Sequence, residues 1–98
     1  MSLEAIKQVV KNQADNISPL GATFKFVLDD HPIHIDGTGD KNIVTEEDKE
    51  ADCVIITSAE TLAKMKNGEL NPMMAVMSGK VKIKGDMGLA MKLQSLIG

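Results

Sequence analysis

Apolar and polar positions follow two different rhythms along this chain, and the changes of rhythm mark its elements. Leu3, Ile6, Val9 and Val10 recur at helical spacing ahead of Asn16 and the Ser18-Pro19 break, which predicts a short amphipathic first helix. From Ala22 the period becomes two: Ala22, Phe24, Phe26 and Leu28 alternate with Thr23, Lys25 and Val27 until Asp29-Asp30 turns the chain. Ile33 and Ile35 continue the alternation with His34 on the other face, so the two runs read as a hairpin. After the turn cluster Asp36-Gly37-Thr38-Gly39-Asp40, residues 41–45 predict a third short strand, completing a meander, and residues 46–50 an exposed acidic connection.

Residues 52–57 read as a fourth strand. Val54-Ile55-Ile56 is apolar on both faces, which predicts an interior position in the sheet with cover on each side. Thr57-Ser58-Ala59-Glu60 has the spacing of a capping box, with Thr57 as the cap and Glu60 reaching back to it. The helix it opens carries Leu62 and Met65 inward and stops near Asn67-Gly68. Asn71-Pro72 is an N-cap followed by a first-turn proline, opening a short helix through Met77 that Gly79 ends. Lys80-Val81-Lys82-Ile83-Lys84 alternates without exception, valine and isoleucine inward and lysines outward, as a sheet edge does. Asp86 then caps a final helix.

That final helix changes the picture. Met87, Ala90, Met91 and Gln94 form one stripe and Leu89, Leu93, Leu96 and Ile97 another, leaving only Lys92 and Ser95 clearly polar. A terminal helix on so short a chain is rarely enclosed by its own protein, so one stripe is expected on the sheet and the other on a cavity or a ligand. Six of the seven methionines, Met65, Met73, Met74, Met77, Met87 and Met91, fall between residues 65 and 91. Methionine is unbranched and polarisable, so a wall made of it refits around ligands of differing shape; the same residues at helical spacing also make an ordinary core. The apolar last helix favours the cavity. An empty cavity of ~300 Å³ at ~24 cal/mol per Å³ costs ~7 kcal/mol, so the pocket should carry lipid or be partly collapsed by mobile methionines.

Composition narrows the class. Ninety-eight residues are enough for one domain, 1–98, with one modest core, and ordinary hydropathy argues for a soluble globular protein. A net charge of −3, with 11 basic residues spread along the chain and two phenylalanines as its aromatics, leaves no footprint or stacking platform for nucleic acid. The first residues lack a basic region followed by a long apolar run, and no stretch reaches a spanning length, so neither export nor a membrane span is expected. The single cysteine, Cys53, fits a reducing compartment, and Ser95-Leu96-Ile97-Gly98 is not a peroxisomal address, which makes the cytoplasm the expected location.

Other signals are weaker. His31 and His34 point to different faces of a hairpin, so no metal is expected there. Asp36, Thr38, Asp40 and Glu47 imitate a calcium loop, but Lys41 stands where that loop needs glycine. Gly37-Thr38-Gly39 with Lys41 has the wrong spacing for a phosphate loop, and Cys53 lies in an apolar strand without a base beside it. Lys80, Lys82 and Lys84, joined by Lys92, are candidates for transient docking on anionic lipid heads or acyl-CoA phosphates, or simply guard a sheet edge.

Ala51-Asp52-Cys53-Val54-Ile55-Ile56, then Gly68-Glu69-Leu70-Asn71-Pro72, then residues 78–94 from Ser78-Gly79-Lys80 to Lys92-Leu93-Gln94 resemble the sterol carrier protein type 2 domain family. The last block is highly specific; the first half matches in outline, through its initial helix and Phe-Lys-Phe strand. The resemblance implies an α+β fold, a five-stranded mostly antiparallel sheet covered by helices with an apolar ligand tunnel. It also implies binding and transfer of fatty acids, fatty acyl-CoA, phospholipids or sterols without covalent chemistry, and no cofactor. The positions of Met73 and Met91 lie beside the ligand in the family and are often glutamine, so this chain is expected to grip the tail more than the head. The expected wall is Phe26, Leu62, Met65, Met73, Met74, Met77, Met87, Met91 and Gln94. The expected partners are a lipid or fatty acyl ligand and transient membrane contact, with the chain a monomer or weak dimer. The alternatives are a protein-interaction or dimerisation module working through the last helix, or an auxiliary domain of an acyl-CoA enzyme.

Overall fold

The computed structural model describes residues 2–93, apart from the side chain of Leu93. Helix α1 (Leu3–Asn16) starts where Ser2 Oγ accepts the Ala5 N–H, and it buries Ile6, Val10 and Ala14, one stripe at a spacing of four. Strands β1 (Thr23–Leu28) and β2 (His31–Asp36) pair antiparallel, with Phe24 opposite Ile35 and Phe26 opposite Ile33. Their turn holds Asp29 and Asp30 at φ 51° and 69°, the double positive-φ geometry whose twist matches that of the strands.

Strand β3 (Ile43–Thr45) completes the meander on β2 but starts two residues later than its pattern suggested. Asn42 is the reason. Its buried side chain accepts from the Leu20 N–H at 2.9 Å and donates to the Ala14 and Ser18 carbonyls at 3.0 and 3.1 Å. It thus satisfies backbone groups that the end of α1 would otherwise leave unpaired.

Strand β4 (Cys53–Thr57) runs parallel to β1 and antiparallel to β5 (Lys82–Gly85), giving the order β3-β2-β1-β4-β5. Three of the four pairings are antiparallel, so the expected α+β fold with a mostly antiparallel five-stranded sheet is the one that forms. β4 is interior, yet its cover is unequal. Cys53, Ile55 and Thr57 are buried on the helix side, whereas Val54 and Ile56 are half-buried on the other. There the 46–50 connection crosses the sheet, with Asp48 accepting from Lys25 at 2.8 Å and the Glu50 carbonyl accepting from His34 Nε2 at 3.1 Å.

Helix α2 (Ala59–Lys66) corrects one expectation. Its N-cap is Ser58, whose Oγ accepts the Thr61 N–H at 3.0 Å, and not Thr57. Thr57 is still strand, and its hydroxyl donates to the Lys80 carbonyl, while Glu60 pairs with Lys64 one turn on instead of closing a capping box. Helix α3 (Pro72–Met77) begins as its spacing predicted, with Asn71 Oδ1 accepting the Met73 N–H at 2.8 Å. The described part of the last helix is short: α4 (Met87–Ala90), capped by Asp86, then a 3-10 turn at Met91–Leu93.

The core lies between the helices and one face of the sheet. Phe24, Phe26, Leu28, Ile33 and Ile35 are all but inaccessible there, joined by the buried stripe of α1 and by Leu62 and Ala63 of α2. Each large side chain so placed contributes about 1.5–3 kcal/mol relative to exposure. Among the described residues no helix is long and apolar enough to cross a membrane.

Candidate functional site

One register row of the sheet does double service. Phe26, Ile55 and Ile83 stand side by side across β1, β4 and β5, on the face that packs the core. Toward β5 that row is roofed by the two short helices, and between sheet and helices lies a cavity of about 570 Å³. Its floor is Phe26, Ile55 and Val81, with Met65 from the end of α2. α3 contributes Met73 and Val76, three residues apart on one face, and α4 with the following turn contributes Met87, Ala90 and Met91. Asn71 and Pro72 close one corner.

The cavity is open along one side. Met73, Met87 and Met91 are 68, 57 and 70% exposed, whereas Met65 is 7% exposed, so the wall grades from a dry floor to a wet methionine rim. An open rim removes the penalty of an enclosed void, because water reaches the space that a ligand would take. That outcome was not legible from composition, which led to a choice between filling and collapse.

The predicted wall divides. Phe26, Met65, Met73, Met87 and Met91 are brought together around the cavity. Leu62, a turn before Met65, is buried in the core instead, and Met74 and Met77 sit on α3 outside the cavity lining, 58 and 76% exposed. Gln94 lies outside the described residues. Pattern reasoning passed over Ile55, Val76, Val81, Ile83 and Ala90. The inward alternation of Val81 and Ile83 was the available signal for two of them.

Among the described residues, no acid, base, thiol or hydroxyl side chain lines the cavity. Among the described lining residues, the one side chain with hydrogen-bonding groups, Asn71, has its carbonyl oxygen engaged as the helix cap. Such a lining can hold apolar matter by burial and shape. Cys53 is fully buried in β4, and burial first, then the nearby Asp86, push its thiol above the usual value, which disfavours the reactive thiolate. His31 and His34 lie on opposite faces of β2, and among the described residues no group of three or more His, Cys, Asp or Glu is placed to hold a metal ion. Lys82 and Lys84 flank Ile83 and therefore project from the sheet face opposite the cavity, while Lys92 Nζ donates to the Leu20 carbonyl at 3.1 Å. The lysines do not form one patch beside the cavity.

The chain is 35% identical over 100 residues to sterol carrier protein 2 of Rattus norvegicus, an alignment covering 95% of this chain and 18% of that protein. It thus spans about a fifth of the length of that relative. A hydroxysteroid dehydrogenase-like protein 2 of Xenopus tropicalis is 49% identical over 53 residues, covering 54% of this chain and 13% of that one. The solution structure of palmitated sterol carrier protein 2-like 2 of Aedes aegypti superimposes with a TM-score of 0.74 at 22% identity, over 99% of this chain and 95% of that one. The model of the SCP-2 sterol transfer family matches residues 3–98, and the chain belongs to that family.

Proposed function

We propose that this domain is a non-enzymatic intracellular carrier that binds a lipid or fatty acyl chain in the cavity between β1, β4, β5 and the two short helices. The observation that supports this most is the lining itself: about 570 Å³ bounded by apolar side chains apart from Asn71, within the size range of ligand sites, with a methionine rim open to solvent. Fatty acids, fatty acyl-CoA, phospholipids and sterols are the ligand classes. The tail enters the floor of Phe26, Ile55, Met65 and Val81, and the head remains at the rim near Asn71. With Met73 and Met91 there, recognition rests on the chain and not on the head group. The domain acts as a single unit over 1–98, as a monomer in the cytoplasm, touching membranes transiently as it loads and unloads.

The fatty chain is a reasonable first ligand because the Aedes relative, of the same fold, is described in palmitated form. A second reading, the lipid-binding module of a larger steroid or acyl-CoA enzyme, is favoured by the greater length of the rat and frog relatives. Delipidated protein titrated with a fluorescent fatty acid should show saturable binding of one molecule per chain, displaced by unlabelled palmitate. Mass identification of lipids extracted from freshly purified protein ranks the classes. Absence of saturable binding to every class overturns the carrier reading.

A further inference from the structure

Five of the six large apolar residues that are exposed in the described part of the chain are methionines, all on α3, α4 or the turn after it. Leucine or isoleucine at these places would also offer an alkyl chain apolar surface. A thioether adds chemistry that they lack. We propose that Met73, Met87 and Met91 are a peroxide-sensitive element of the cavity rim, whose oxidation to sulfoxide lowers affinity for the apolar ligand; this deepens the carrier reading and rests on it.

The step needs only hydrogen peroxide as co-reactant. The thioether sulfur attacks one peroxide oxygen, the O–O bond breaks as the S–O bond forms, and the departing hydroxide takes the proton of the transferred oxygen and leaves as water. Sulfur loses two electrons and peroxide gains them. The product is a polar, chiral side chain, returned to thioether by the methionine sulfoxide reductases.

Geometry decides which sulfurs react and which reactions matter. The rim sulfurs sit on residues 57 to 70% exposed, while Met65 on the floor is 7% exposed and so shielded. Met74 and Met77 are equally open but do not line the cavity, so their oxidation leaves the ligand untouched. A sulfoxide at position 73, 87 or 91 instead places a strong acceptor against an alkyl chain, with Asn71 the one side-chain donor among the described lining residues.

The test combines peroxide dosing of the purified protein, peptide mass mapping of each methionine and titration with a fluorescent fatty acid. Affinity should fall by about tenfold or more as residues 73, 87 and 91 gain oxygen, with Met65 reacting last and the far-UV circular dichroism preserved. Bound fatty acid should protect Met73, Met87 and Met91 and leave Met74 and Met77 as reactive as before. A chain combining Met73→Leu, Met87→Leu and Met91→Leu, whatever its starting affinity, should lose nothing further on treatment, while Met74→Leu with Met77→Leu should lose affinity as the wild type does. Unchanged affinity with all three rim residues oxidised overturns the proposal and leaves the carrier reading in place, as does loss of the far-UV signal at the same dose. Failure of the untreated protein to bind the fatty acid overturns both.

Discussion

A Cβ on Gly85 would overlap the carbonyl oxygen of Asp52. At this point β5 and β4 approach more closely than any side chain permits, with Gly85 at φ +96° and the Asp86 N–H donating to the same Asp52 carbonyl at 3.0 Å. The contact sets where α4 leaves the sheet and therefore where the Met87 and Met91 wall of the cavity stands. Gly85→Ala must open that contact and adopt a left-handed backbone, so we expect a loss of about 2–4 kcal/mol. Urea unfolding followed by far-UV circular dichroism measures it, and a loss below half a kilocalorie would mean that the two strands part without strain.

Asn42 provides a second test, remote from the cavity. Asn42→Ala leaves the Leu20 N–H and the Ala14 and Ser18 carbonyls without their partner in a buried place, and should cost about 2–4 kcal/mol. Fatty acid affinity of the fraction that remains folded should be unchanged. A parallel loss of affinity would show that the end of α1 is coupled to the ligand site.

The division of the methionines predicts a contrast. Met73→Lys with Met91→Lys puts two charges on the cavity rim and should weaken fatty acid binding by about tenfold or more. Met74→Lys with Met77→Lys changes the outer side of α3 and should leave affinity within error of the wild type. Equal effects from both pairs would place the ligand elsewhere.

Acid and base act on the link between α1 and the acidic connection. The hydrogen bond from Lys7 Nζ holds Glu46 below its ordinary carboxylate value, and the same bond holds Lys7 above its ordinary value. A lowered carboxylate contributes stability that is present above its unfolded pKa and lost as pH falls through the folded one. A raised amine contributes stability present below its unfolded pKa and lost as pH rises through the folded one. Glu46→Gln should therefore lower the Tm slightly at pH 7; the difference from wild type should begin to shrink near the ordinary carboxylate value of about 4.3 and be gone once pH falls below the lowered value of Glu46. A Tm difference that persists at pH 2 would assign the effect to packing.

What could be read from the residues alone were the features written into local chemistry. Asn71-Pro72 starts α3 because a short side-chain acceptor and a preset φ act within one turn, and the lysine alternation announces β5 because side chains alternate in any extended chain. The block from Ser78 to Gln94 also carried the family, and with it the five-stranded, mostly antiparallel sheet covered by helices; the order of the strands came from the tertiary structure. Local reasoning failed where two neighbours offered the same chemistry: Thr57 and Ser58 are both capping hydroxyls, and the strand keeps Thr57 because its place beside Leu28 extends the parallel pairing.

Tertiary structure alone decided the cavity. Helical spacing says that Met73 and Met74 differ in direction by about a quarter turn; it does not say which of the two directions meets the sheet. That depends on how α3 lies over Ile55 and Ile83, which follows from the parallel β1–β4 pairing and from the backbone approach at Gly85, contacts between residues far apart in the chain. The sequence by itself supplied a methionine-rich apolar surface; the long-range packing divided it into floor, rim and exposed flank.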